Sequence, residues 1–246
     1  MLSFNKIHFE SIDSTNTYAL ENIRELPHNT LVIADTQTKA RGQHGRSWVA
    51  GSSENLYVSF VIKPDVPYKQ LPIVNFPQFF SVVVADTFAF YGALPQIKWP
   101  NDVLINGKKC AGILSEASFD GNTFNGLVVG VGVNIGYDPT EKLVIKQPAT
   151  SLLNEIKQSV KKDDFLLKVL ELYSSMSDPF YFRGFPHIKE SYMRYFLHMG
   201  KKITLVNGPR NIEGVVREVT NSGDIVLKTD SGGIENIKMG EILWEI

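Results

Sequence analysis

Only one cysteine, Cys110, occurs in the 246 residues. No internal disulfide can form, and the paired thiolates of a structural zinc site are missing. The five histidines, at positions 8, 28, 44, 187 and 198, are scattered and form no His-Glu-x-x-His arrangement. There is no phosphate loop ending in Gly-Lys-Ser/Thr, no internal repeat and no charged tail. Charge of neither sign dominates: 25 basic residues stand against 26 acidic ones, a formal net charge of -1. That balance gives no broad electrostatic support for a nucleic-acid partner. No uninterrupted apolar run approaches a membrane span, and Met1-Leu2-Ser3-Phe4-Asn5-Lys6 lacks the features of a signal peptide. The chain therefore reads as soluble and cytoplasmic, with no membrane partner.

What is present is punctuated hydrophobic pattern. Ile7 and Phe9 alternate with polar residues as in a short strand, and Ser14 suits the N-cap of a helix carrying Leu20, Ile23 and Leu26. Strands are expected at 30–35, 56–62, 97–99, 102–105, 108–118 and 127–135. Asn106-Gly107 is a hairpin signal between two of them. Residues 76–90 carry apolar positions at helical spacing, and 149–199 turn helical again, with Gly200 as the expected stop. After Gly200, roughly five short strands separated by turn signals suggest a small β-barrel. Two domains are expected, 1–198 and 199–246.

Four polar clusters fall at strand ends or turns, where function concentrates. Ser14-Thr15-Asn16 opens the first helix. Arg41-Gly42-Gln43-His44-Gly45-Arg46-Ser47-Trp48, with Gln37 before it, combines glycines that let backbone N–H groups converge with arginines suited to carboxylate or phosphate. The third cluster, Lys98-Trp99-Pro100-Asn101-Asp102 followed by Lys109-Cys110-Ala111-Gly112-Ile113-Leu114, brings cations and a carboxylate to one hairpin. Strict alternation puts Lys109, Ala111 and Ile113 on one face and Cys110, Gly112 and Leu114 on the other. The fourth, Val129-Gly130-Val131-Gly132-Val133-Asn134, misses the dinucleotide-binding fingerprint, because its third glycine is Gly136 and Asp138-Pro139 follows instead of a helix. Glycines alternating with valines in a strand point instead to close approach by a ligand or another backbone. Asn134 at its end has the amide needed to read a purine edge.

Taken in this order, the four clusters resemble the biotin–protein ligases. Single motifs would be weak, but the ordered set is specific and covers residues 1–195, and the C-terminal part also resembles that family's barrel. The resemblance implies an α+β fold: a mixed β-sheet flanked by helices, like class II aminoacyl-tRNA synthetases, plus a small C-terminal SH3-like β-barrel. It implies an ATP-dependent ligase that forms biotinyl-5′-adenylate and transfers the biotinyl group to a lysine of a biotin carboxyl carrier protein. Biotin and ATP are then substrates, magnesium accompanies ATP without a protein-built metal site, and the chain works as a monomer or homodimer.

By the same resemblance, Ser14, Thr15, Asn16 and Gln37 hydrogen-bond the ureido ring, while Gly112 and Leu114 line its floor. Arg41, Gly42 and Gln43 hold the carboxylate and adenylate phosphate through backbone groups, and Lys109 contacts both anions. Arg46, Trp48 and Asn134 face the nucleotide, and Lys109, Arg46 and Asp102 carry the chemistry, with Asp102 orienting the acceptor amine. The glycine loop is expected to order over the reactive anhydride. Two departures stand out: Gln43 where many relatives carry Arg, and Ala40 where Gly is usual. No segment long enough for a winged helix-turn-helix precedes Asp13, so a repressor function is not expected. A lipoate–protein ligase of the same fold and a non-catalytic biotin- or adenylate-binding regulator remain the alternatives.

Overall fold

Leu56–Ile62 is buried at every position, the signature of a strand covered on both faces. In the computed structural model, which describes residues 2–50, 52–137 and 147–244, this strand (β3) lies within a seven-stranded sheet. The others are β1 (Asn5–Ile12), β2 (Thr30–Gln37), β4 (Pro95–Lys98), β5 (Asp102–Ile105), β6 (Lys108–Asp120) and β7 (Thr123–Val133), in the order β1-β2-β3-β7-β6-β5-β4. Only β1 and β2 run parallel; every other neighbour is antiparallel, joined where possible by tight turns. Asn106 and Gly107 take positive φ angles of 50° and 73°, as a two-residue hairpin requires. The Asp138-Pro139 pair lies outside the described residues.

The two faces of this sheet do different work. Leu56, Val58, Phe60 and Ile62 of β3, with Val129, Val131 and Val133 of β7, point into the main core. That core is completed by α2 (Phe76–Phe90), α4 (Lys162–Arg183) and α5 (Phe185–Tyr195). Burial of α2 on nearly all sides explains why Val82, Val83 and Val84 are helical despite their β-branched shape. The segment Ile73–Phe90 has the length and mean hydropathy (1.4) of a membrane span, a feature missed in the sequence; 67% of it is buried inside the protein, as a core helix should be. On the opposite face, α1 (Thr15–Glu21) covers one corner through Ala19, against Val32, Val61 and Val128. The rest of that face stays open.

Two expectations fail for local reasons. The alternation expected from Lys109 onward is broken by a bulge: Leu104 pairs with Lys109 but Val103 pairs with Ala111, leaving Cys110 as the extra residue. Cys110 and Ala111 both join the core, and Lys109 swings to the face of Gly112. The last helix ends at Tyr195, not at Gly200. Leu197 N–H there donates to Ile97 O at 3.0 Å, so the edge of β4 captures the chain before the glycine is reached. Gly200 (φ 73°) serves the following turn.

The C-terminal strands β8 (Lys202–Asn207), β9 (Arg210–Val219), β10 (Ile225–Thr229), β11 (Ile234–Ile237) and β12 (Glu241–Ile242) form a separate antiparallel sheet, ordered β11-β10-β9-β8-β12, consistent with an SH3-like barrel. Its hydrophobic interior is continuous with the main core. Gly223 O accepts from Trp99 Nε1 (3.1 Å) and Gln78 Nε2 (2.8 Å), which seats the small sheet against the large one.

Candidate functional site

The open face of the large sheet forms the floor of a cavity of ≈ 170 Å³. The residues given a site role from the sequence all line it: Ser14, Thr15, Asn16, Gln37, Arg41, Gly42, Gln43, Arg46, Trp48, Asp102, Lys109, Gly112, Leu114 and Asn134. The glycines make this possible. Gly112 and Gly132 are paired across β6 and β7, and the indole of Trp48 lies directly on them; a Cβ on Gly132 would sit 2.8 Å from Trp48 Cε2. A Cβ on Gly130 would sit 2.3 Å from Asn16 Oδ1. The close approach expected at these glycines from a ligand or another backbone is made instead by two side chains, of Asn16 and Trp48.

One end of the cavity is polar but carries little charge. Ser14 caps α1 by accepting from Thr17 N–H (3.3 Å). Gln37 Oε1 accepts from Thr15 N–H at 2.8 Å and lies 3.2 Å from Thr15 Oγ1. Behind them Ser59, the one serine of β3, donates to Asn16 Oδ1 at 2.5 Å and lies 2.8 Å from Thr15 Oγ1. Ser59 is fully buried. Sequence pattern missed it because it sits in an apolar run, where it reads as tolerated core; the polar interruption itself was the signal.

The other end is cationic. Lys109 Nζ lies 2.6 Å from Asp102 Oδ1 and 5.3 Å from the Trp48 ring centroid. Lys98, quoted in the third cluster but assigned no role, is 3% exposed and holds its ammonium 4.8 Å from the Trp244 ring centroid. Burial pushes the Lys98 pKa down, against the opposing pull of Asp102 and Glu241. Arg46 pairs through both guanidinium nitrogens with Glu241 of β12, Nη1 at 2.6 Å from Oε1. That hydrogen bonding raises its pKa further. Glu241 stands 195 residues from Arg46, so no local motif could have revealed it.

The loop between these ends is closed on itself. Arg41 and Ser47 form a short antiparallel bridge, and Gly42 N–H donates to Arg46 O at 2.7 Å. The Arg41 guanidinium is engaged by Glu116, at 3.0 Å on each side. Two buried polar atoms in the wall, Trp48 Nε1 and Asn134 Oδ1, have no hydrogen-bond partner among the described residues. Buried polar atoms normally find partners, so a ligand bearing hydrogen-bond donors and acceptors fits here.

Residues 8–134 match the model of the Biotin/lipoate A/B protein ligase family. The chain is 28% identical to the Bifunctional ligase/repressor BirA of Bacillus subtilis, over 92% of this chain and 70% of that protein. It is 29% identical to the Biotin–[acetyl-CoA-carboxylase] ligase of Paracoccus denitrificans, over 89% and 92% respectively. Among solved structures, it resembles the biotin protein ligase from Aquifex aeolicus in complex with biotin and ATP (TM-score 0.80, 27% identity, 97% of each chain covered).

Proposed function

Since the chain belongs to the Biotin/lipoate A/B protein ligase family, we propose how its cavity performs ATP-dependent biotin ligation. The observation that carries the reading is the division of one cavity into a polar end without free charge and a cationic end. Biotin has the same division. Its ureido ring is neutral and rich in donors and acceptors, matching Ser14, Thr15, Asn16 and Gln37, while its carboxylate must meet a second anion. Lipoate, whose dithiolane ring neither donates nor accepts strong hydrogen bonds, would leave their remaining hydrogen-bonding capacity buried without a partner.

In the first step a carboxylate oxygen attacks the α-phosphorus of ATP, and the bond to the β-phosphate oxygen breaks, releasing diphosphate. Bringing two anions together is the main obstacle, so fixed cations and N–H donors supply much of the catalysis. Lys109 exchanges its Asp102 partner for the carboxylate and α-phosphate. Lys98 and Arg46 face the remaining phosphates, and Arg46 trades Glu241 for them. Gly112 and Leu114 line the floor under biotin, and backbone donors of Arg41, Gly42 and Gln43 hold the nascent adenylate, Gly42 N–H leaving Arg46 O to do so. Trp48 and Asn134 offer their unpaired Nε1–H and Oδ1 to the nucleotide. No group of three Asp, Glu, His or Cys side chains among the described residues is placed to hold a metal. Magnesium enters as part of the MgATP substrate, held by phosphates and water.

In the second step a lysine amine attacks the acyl carbon of the anhydride, a C–N bond forms, AMP leaves and the nitrogen loses a proton. With a reference pKa of about 10.4, on the order of one lysine in a few thousand is neutral at pH 7. Asp102, released when Lys109 turns to the anions, orients the incoming amine. Ordering of the 41–47 loop shields the anhydride from water. The partner is the biotin carboxyl carrier domain of a carboxylase, nucleic acid has no part in the reaction, and the ATP-rich, reducing cytoplasm suits both the chemistry and the lone thiol of Cys110. Residues 1–198 form the catalytic unit, and 199–246 a barrel that reaches the nucleotide end through Glu241.

Incubating the protein with biotin, MgATP and a biotin carrier domain should add the mass of one biotinyl group to that domain. Replacing its acceptor lysine with arginine should abolish the gain. Lipoylation of a lipoyl domain in preference would refute the assignment.

A further inference from the structure

Glu116 lies on β6 beyond the stretch that pairs with β5, and β7 is its only ladder partner there. Its carboxylate joins two elements that the chain brings together from far apart. Oε1 and Oε2 each accept from Arg41, at 3.0 Å, and Oε2 also accepts from Asn16 Nδ2 at 2.9 Å. Asn16 belongs to the polar network at the biotin end, through Ser59. Arg41 opens the glycine loop and pairs with its last polar residue, Ser47. A continuous run of hydrogen bonds, Ser59 to Asn16 to Glu116 to Arg41, thus connects the ureido end of the cavity to the base of the loop.

We propose that Glu116 is a positioning residue that couples occupancy of the biotin end to ordering of the 41–47 loop. This rests on the biotin-ligase reading above. The physical case is one of shared acceptors. A carboxylate can take the forked guanidinium and the Asn16 amide together because every lone pair it offers is an acceptor. An amide in its place offers one oxygen and turns an N–H₂ group toward one of the two donors. The link is then broken on one side while the shape is kept. Fixing Asn16 with a bound ureido ring fixes the carboxylate, which fixes Arg41 and with it the closing bridge to Ser47. Without the carboxylate, biotin can bind while the loop stays unordered. The ion pair is partly exposed, 43% at Arg41 and 26% at Glu116, so it contributes little to global stability.

Hydrogen exchange of amides 42–47, with and without saturating biotin, tests this in the full-length protein, alongside biotin affinity measured with and without a non-hydrolysable ATP analogue. In the wild type, biotin should slow exchange in the loop and the analogue should tighten biotin binding. In Glu116→Gln, that protection and that tightening should both disappear. The amide oxygen still accepts from Asn16 Nδ2 and it is the Arg41 side that is lost, so biotin affinity alone should change less than about threefold; the melting temperature should hold, since exposed pairs contribute little. Arg41→Gln should give the same losses, with no further loss in the double variant. Wild-type protection and tightening in Glu116→Gln would overturn the proposal, as would a broad loss of exchange protection with a fall in melting temperature. A wild-type protein that fails to join biotin to a carrier domain would instead sink the underlying function.

Discussion

Gly130→Ala is expected to weaken biotin binding while sparing the nucleotide end. The added Cβ would stand 2.3 Å from Asn16 Oδ1 and 2.9 Å from its Cγ, where ordinary contacts begin at 3.4 Å. The Asn16 amide must therefore retreat by about 1 Å, because β7 is held by its ladders to β3 and β6. Its hydrogen bonds run 2.5 Å to Ser59, 2.9 Å to Glu116 and 3.3 Å to Leu114 O. A shift of that size breaks at least one of them, since such contacts fail beyond roughly 3.5 Å. Losing one bond in a buried network costs about 1–3 kcal/mol, so biotin affinity should fall about five- to 150-fold. Titration calorimetry with biotin reads this directly. Gly132→Ala, two residues along the same strand, presses on Trp48 instead and should raise the ATP KM with a smaller effect on biotin. Biotin affinity within about twofold of wild type in Gly130→Ala would refute the reasoning, as would equal losses of both ligands in both variants.

Glu241→Gln removes the anion that competes with ATP for Arg46, and the ATP KM should fall severalfold in initial-rate measurements; a tenfold rise would mean that Glu241 helps hold the closed site. Asp102→Asn should slow transfer from preformed biotinyl-adenylate by at least about a hundredfold, the lower end for a positioned acid–base partner. An unchanged single-turnover rate would remove Asp102 from the second step. His198 is kept neutral by burial and by the nearby charges of Lys98 and Lys201, its pKa lowered to about 4 from 6.5. Between those values the unfolded chain takes up a proton that the folded chain refuses, so stability should fall as pH drops from 6.5 to about 4, by at most about 3 kcal/mol. Urea unfolding of His198→Gln should show that component of the acid loss removed, and an unaltered pH profile would contradict the assignment.

The legible parts of this molecule were those written in local sequence. Asn106-Gly107 announced its hairpin, and Leu56–Ile62 announced a strand. All the residues chosen for the site do line one cavity, since each sits in a short motif at the end of an element. What stayed hidden depends on contacts between distant segments. The bulge at Cys110 leaves no trace in a period-two pattern, yet it decides that Lys109 faces Asp102 and Trp48. The glycines of β7 announced a close approach, but the approaching groups, Asn16 and Trp48, come from other elements. Ser59, Glu116 and Glu241 read as core or surface until the fold sets each beside its partner. The end of α5 followed from the edge of β4, which no capping residue encodes.

Exchange of labelled diphosphate into ATP isolates the first chemical step and needs no acceptor protein. The exchange should require biotin, should not be supported by lipoate, and should collapse in Lys109→Ala while biotin still binds. Exchange driven by lipoate, or undiminished in Lys109→Ala, would contradict the assignment of this cavity to biotin activation.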